Sequence, residues 1–320
     1  MKKTFIALAL GLSASLNSAS ASDYPVRPIK LVVGFSAGGT SDLIARIVSE
    51  PLQKRLGQTV IVENRPGGGG TLATRAVAQS NADGYTLIIG SAASFVINPH
   101  LLKVGYDPLQ DFTPIAPLVK LNYVVLVNAD RTISDLKALV AKAKSAPNTL
   151  VYGSAGMGSS AHLATAAFAA KAGMEVRHVP YKGAADALRD LSGGHIDFLF
   201  EAIPTGAPSV KSNRVIPLAT TGHQRAPQFP DLPTVSELGY PGYESGNWFA
   251  IFAPAGVKPE IAERLNKEVN AVLKDPEVAR RLTEAGSVVL SGSTNDLSKQ
   301  MKQDFAAYKE LIDTLQIKLE

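Results

Sequence analysis

The chain contains no cysteine, no apolar run long enough to cross a bilayer and almost no excess of charge. Without cysteine there is no disulfide framework, no thiolate nucleophile, no cysteine-bound zinc and no lipidated-cysteine anchor. Its 32 Lys and Arg face 28 Asp and Glu, and setting aside Lys2 and Lys3 at the extreme N-terminus leaves 30 against 28. So small an excess gives no electrostatic reason to expect nucleic acid or a membrane surface as a partner. What is abundant is apolar residues, at 45% of 320, together with 27 Gly and 20 Pro. That is a globular composition, long enough for two domains with a substantial core.

Met1-Lys2-Lys3, the apolar run from Thr4 to Leu12, and small residues up to Ala19-Ser20-Ala21 have the three parts of a secretory signal in order. The apolar run is about half of the roughly 20 residues that a membrane span requires. Cleavage near Ala21 is therefore expected, leaving an exported, soluble chain from residue 22.

Ile29-Lys30-Leu31-Val32-Val33 predicts a buried strand, and residues 40–56 predict a helix with Leu43, Ile44, Ile47, Val48, Leu52 and Leu56 on one face. Pro51 is expected to interrupt or kink that helix. A strand at 59–62, a Pro-Gly turn, a helix near 71–79 and a strand at 85–89 complete a βαβαβ unit with a parallel sheet. A proline-punctuated apolar stretch at 112–128 leads to a second series: helices at 134–145, 159–172 and 183–192, and strands at 149–152, 176–179, 196–200 and 214–221. Segment 222–247 is rich in Pro and Gly and reads as a connection. After Trp248–Ala253 come two amphipathic helices, one starting near Lys258 and a last one carrying Leu297, Met301, Phe305, Tyr308 and Ile312, with Ser293 and Asp296 at its start. The last helix needs an apolar partner, and the first α/β unit offers one. The expected arrangement is two α/β lobes, 22–117 with 225–320 and 118–224, joined by two crossings that make a hinge.

Two glycine-rich loops stand at helix starts. Gly34-Phe35-Ser36-Ala37-Gly38-Gly39-Thr40 joins the first strand to the first helix, and Gly153-Ser154-Ala155-Gly156-Met157-Gly158-Ser159-Ser160 does the same in the second series. Glycine lets the backbone approach a ligand, free N–H groups of the first helical turn point outward, and Ser and Thr add donors. An anion at such a site gains about 0.3–1 kcal/mol from the helix dipole, and up to about 2 when partly buried. A pair on facing lobes would form an anion trap; two ordinary turns are the plainer alternative. No Gly-Lys-Ser/Thr follows the first loop and it is not G-x-G-x-x-G, so nucleotide binding is unsupported.

Gly34-Phe35-Ser36-Ala37-Gly38 does match the nucleophile-elbow pattern G-x-S-x-G between a strand and a helix. It sits on the first strand with no His-Gly-Gly before it, and nothing local marks Asp197 or His223 as the rest of a triad. A secreted serine hydrolase using Ser36 is the alternative function. The five histidines have no metal-ligand spacing, so neither a metal nor a cofactor is expected. His162, in the first turn behind the second loop, suits donation to a carboxylate or packing at the helix start. Lys182 stands at another strand-to-helix turn, facing a cleft or solvent. Glu201 follows the buried-looking Phe198-Leu199-Phe200 and either lines a crevice at the strand's carboxyl end or is a solvated loop acid.

Many motifs in one order resemble a known family. They include Tyr24-Pro25-Val26-Arg27-Pro28, the first glycine loop with Asp42 and Ala45-Arg46, Val62-Glu63-Asn64-Arg65-Pro66-Gly67, Ala82-Asp83-Gly84-Tyr85-Thr86, and Tyr106-Asp107-Pro108. The second glycine loop with His162-Leu163, Pro180-Tyr181-Lys182-Gly183, Leu232-Pro233-Thr234-Val235 and Ala253-Pro254-Ala255-Gly256 continue the series. Over nearly all of the chain after the leader, the sequence is similar to the Bug/TctC extracytoplasmic solute-binding receptors of tripartite tricarboxylate transporters. The resemblance implies an α/β, two-lobed periplasmic binding protein of type II, or Venus-flytrap, form with two hinge crossings. It implies a monomer without enzymatic activity that delivers a small organic carboxylate to membrane permease subunits. The ligand would be held by Phe35, Ser36, Ala37, Gly38, Gly39 and Thr40 on one side and by Ser154, Ala155, Gly158, Ser159 and His162 on the other, with Lys182 and Glu201 as further cleft residues. One departure stands out: the family often has Asp-Asn after this strand, and this sequence has Glu201-Ala202.

Overall fold

Residues 24–129 and 133–315 are described by the computed structural model, so the expected leader lies outside the described residues. The first lobe opens with β1 (Ile29–Val33), α1 (Thr40–Leu56), β2 (Val60–Asn64), α2 (Thr71–Ala78), β3 (Thr86–Ser91) and the short α3 (Asn98–Leu101). Parallel pairing of β1 with both β2 and β3 confirms the βαβαβ unit. Ile29, Leu31 and Val33 on one face and Val32 on the other are all buried, as a central parallel strand requires. Helix α1 runs unbroken through Pro51.

The stretch that follows is a single 17-residue strand, β4 (Phe112–Asn128). Pro114 and Pro117 lack the N–H that a regular ladder needs, and the register shifts beside each of them. The chain continues through α4 (Leu136–Ser145), β5 (Val151–Ser154), α5 (Ser160–Ala172), β6 (Arg177–Pro180), α6 (Ala184–Ser192), β7 (Phe198–Ala202), α7 (Ile203–Lys211) and β8 (Val215–Thr220). It ends with β9 (Gly246–Pro254), α8 (Pro259–Leu273), α9 (Pro276–Glu284), β10 (Ser287–Val289) and α10 (Thr294–Leu315). Helix α7 carries two prolines, and α9 buries only Val278 and Leu282. Both were silent to periodicity for those reasons.

Strand β4 belongs to two sheets. From Phe112 to Asn122 it pairs with β9, which in turn pairs with β3, and β10 lines its other edge. From Tyr123 onward its neighbours are β7 and β8, and β7 continues in parallel to β5 and β6. The chain returns to the first sheet at Gly246, opposite Asn122. At this crossing the Thr221 hydroxyl accepts from the Tyr123 N–H at 2.8 Å and donates to the Ser245 carbonyl at 2.6 Å.

Segment 222–245 is more than a connection. Ala226, Phe229 and Leu232 pack against Val124 and Leu126, and Val235 bonds the Thr220 carbonyl at 2.8 Å. Alternation and helical spacing are lost in such a segment, although its apolar residues are still buried. Helix α10 packs Leu297, Met301 and Ile312 with Val32, Ile88 and Phe95, the partner expected from its apolar stripe.

Candidate functional site

The starts of α1 and α5 face one another across a cavity of about 60 Å³. At α1 the N-cap is Gly39, with no side-chain cap, and Gly38 before it adopts φ +80°. Asp42 does the capping from inside the helix: its Oδ2 accepts from the Gly38 N–H at 2.9 Å and from Arg46 Nε at 3.0 Å. Burial pushes the Asp42 carboxyl up, but the bonds from Arg46, Gly38 and Asn64 outweigh it and hold the group below the usual carboxylate range. Asp42→Ala is expected to cost about 1.5–3 kcal/mol, the worth of a charge-assisted bond, measured by urea unfolding at pH 7. A folded pKa below the unfolded one means that this contribution is present at neutral pH and is lost as pH falls through the folded value. The difference between wild type and variant should therefore shrink in acid.

At α5 the Ser159 hydroxyl accepts from the His162 N–H, and His162 Nδ1 accepts from the Gly158 N–H, each at 3.2 Å. The second of these places the His162 proton on Nε2. Behind the loop, His178 Nε2 meets Ser154 Oγ at 2.7 Å, and the His162 and His178 rings stack at 4.1 Å. Burial lowers His162 to about 4; burial and then His162 lower His178 to about 3. Both rings are neutral spacers that shape the loop.

The cavity wall carries Phe35, Gly39, Thr40, Ser154, Ala155, Ser159 and Glu201 from the predicted set, and no Lys, Arg or His. The lobes touch where Thr40 Oγ1 meets Thr205 Oγ1 at 2.9 Å, and the Thr205 hydroxyl donates to Glu201 Oε1. Glu201 is 3% exposed. Burial raises its carboxyl to about 7, against the opposing bonds from Thr205 and the Ala202 backbone. Tyr123 OH and Ser160 Oγ are buried on the same wall without a well-formed hydrogen bond to the described residues.

Residues 44–317 match the family described as the tripartite tricarboxylate transporter family receptor, TctC. The chain belongs to this family. BugT of Bordetella pertussis is 36% identical over 285 residues, covering 88% of this chain and 86% of BugT. Among solved structures, R. palustris Rpa4515 with adipate is 35% identical with a TM-score of 0.89, covering 92% of this chain and 99% of that one. MatC from Rhodopseudomonas palustris with bound malate is 30% identical with a TM-score of 0.87, covering 90% and 100%. The two-lobed periplasmic-binding-protein fold expected from the sequence is thus the fold of this TctC-family chain.

The remaining predicted residues of this TctC-family receptor lie around the cavity rather than on its wall. Ser36 packs against Gly183 of the opposite lobe, where an added Cβ would come within 2.9 Å. Ala37, Gly38 and Lys182 are exposed. Gly158 rests on Asn98 of the first lobe, and His162 is buried behind the second loop. Asp197 accepts from the Val151 N–H at 2.8 Å, and His223 is exposed. Wall residues that the sequence reading missed include Ser41, Ser160, Tyr123, Asn247 and Phe249. Ser41 and Ser160 follow their N-caps by two residues and by one, so the first-turn rule could have found them. Tyr123, Asn247 and Phe249 reach the site only because β4 and β9 meet at the crossing; no local signal marks them. Among the described residues no cluster of His, Cys, Asp or Glu could hold a metal ion, and none of the described helices is long and apolar enough to cross a membrane.

Proposed function

We propose that this chain is an exported, periplasmic solute-binding protein that captures a small organic carboxylate between its lobes. It would act as a monomer, without bond chemistry, and deliver the ligand to the membrane permease of a tripartite tricarboxylate-type transporter. The observation that carries this reading is the cavity between two helix starts, whose mainly apolar wall holds the hydroxyls of Thr40, Ser41, Ser154, Ser159 and Ser160 and no cation. Each helix start contributes up to about 2 kcal/mol for a partly buried anion, and only closure brings both to the same carboxylate. The cavity has room for roughly four or five water molecules, which suits a short acid. The strand-partner change at Asn122–Tyr123 and the return at Ser245–Gly246 support a two-stranded hinge there.

A thermal-shift screen of dicarboxylates, tricarboxylates, aromatic acids and amino acids, followed by calorimetry, tests this reading. A ligand at 100 times its Kd adds about 2.7 kcal/mol, enough to raise Tm by several degrees. No shift with any acid, together with fluorophosphonate labelling at Ser36 and ester turnover lost in Ser36→Ala, would replace the receptor with the hydrolase.

A further inference from the structure

The wall of the cavity is electrostatically mixed. The starts of α1, 17 residues long, and α5, 13 residues long, present the positive ends of their dipoles. On the same wall Glu201, the penultimate residue of β7, is a buried carboxyl group that no Lys, Arg or His of the wall can neutralise. Its Oε1 is bonded by Thr205, which in turn meets Thr40 of the facing lobe, so closure holds the carboxyl in place. Tyr123 OH and Ser160 Oγ, both buried, sit beside one another on the same wall.

A ligand carboxylate seated at the helix starts gains from both dipoles, but a second carboxylate reaching an ionised Glu201 would be repelled. Two carboxylates in contact cannot both ionise, and the pair keeps one proton between them. We propose that Glu201 binds the second carboxylate of a dicarboxylate ligand by sharing a proton with it, so that capture takes one proton from solution. This inference rests on the carboxylate-receptor reading above and names the ligand class within it.

The surroundings of Glu201 leave the proton on this pair. Strands β4 and β5 and helices α5, α6 and α7 pack against β7, and α1 faces it across the cavity. The titratable group coupled to Glu201 is Tyr123 on β4. Lys120 on β4, Tyr152 on β5, His162 and Lys171 on α5, Asp186, Arg189 and Asp190 on α6, Lys211 on α7, and Asp42 and Arg46 on α1 do not shift it; burial does, up to about 7. The free carboxyl is thus mostly ionised at pH 8 and mostly protonated at pH 6.

Calorimetry of the full chain with succinate and adipate, and with butanoate and hexanoate as one-carboxylate controls, tests the proposal. Each titration is run in buffers of different ionisation enthalpy, which yields the number of protons taken up. The expected result is uptake close to one proton per dicarboxylate at pH 8, close to zero at pH 6, and an affinity that falls up to about tenfold per pH unit above 7. In Glu201→Gln the amide N–H replaces the shared proton, so uptake should vanish and affinity should become flat with pH. Dicarboxylate binding without proton uptake at pH 8, uptake that persists in Glu201→Gln, or binding of the one-carboxylate acids alone would overturn the proposal and leave the receptor standing. Binding of none of the four, with no hit among the other acids screened, would overturn the receptor reading itself. The wild-type proton count decides the matter even if the variant does not fold.

Discussion

Gly158→Val is expected to lower carboxylate affinity by about 100-fold or more, near 2.7 kcal/mol, while leaving an unliganded protein that still folds. Gly158 belongs to the second glycine loop and lies against Asn98, which starts α3 in the other lobe. A Cβ at this position would stand 1.7 Å from Asn98 Oδ1 and 2.8 Å from its Cγ. Asn98 is fully buried and donates from Nδ2 to the Gly69 carbonyl at 3.3 Å, so it has nowhere to retreat. The collision exists only while the lobes are together. Opening the hinge relieves it, and the open form cannot bring both helix starts to one ligand. The residue also has φ +70°, which adds about 1–2 kcal/mol of strain in either form.

Gly38→Val is the contrast. It has φ +80°, but the nearest atom to an added Cβ is Ala185 Cβ at 3.9 Å, and the position is exposed. It should show the strain without the blocked closure. Calorimetry with a ligand from the screen, beside the Tm of each free variant, separates the two effects. Wild-type affinity in Gly158→Val would mean that this closure is not the binding conformation.

Phe252→Ala should destabilise the protein by about 3–5 kcal/mol, a large part of the 5–15 kcal/mol typical of a domain. Phe252 is fully buried in β9, the strand that joins β3 to β4. Its ring stacks on Phe95 at 4.0 Å and meets Phe112 edge-on at 6.5 Å. Gly90 of β3 lies beneath both rings, where an added Cβ would be 2.4 Å from Phe95 and 2.7 Å from Phe252. The neighbours are aromatic and stiff and cannot collapse into the space left by alanine, so the upper part of the range is expected in urea unfolding. A loss under 1 kcal/mol would show that the site refills by repacking.

Much of this architecture was legible because it is local. Leu43, Ile44, Ile47, Val48, Leu52 and Leu56 place α1 within a residue, and the two glycine loops announce helix starts because a tight βα turn needs what glycine and small hydroxyl residues supply. Strand β4 was harder: its prolines argue against a strand until their positions at register shifts are known. Helix α7 hid for the same reason, since a run with prolines at 204 and 208 looks like a turn until its buried face is seen.

The sequence by itself determined the two α/β units and the paired glycine-rich helix starts. Each follows from residues adjacent in the chain or one helical turn apart, where steric and capping rules act without tertiary context. Only the tertiary structure decided what encloses the cavity. The strand partners of β4 change at Asn122–Tyr123, which brings Tyr123, Asn247 and Phe249 to the wall and leaves Glu201 buried there without a cation. Burial and the absence of a counter-charge are properties of a packed enclosure, and no spacing along the chain encodes them directly.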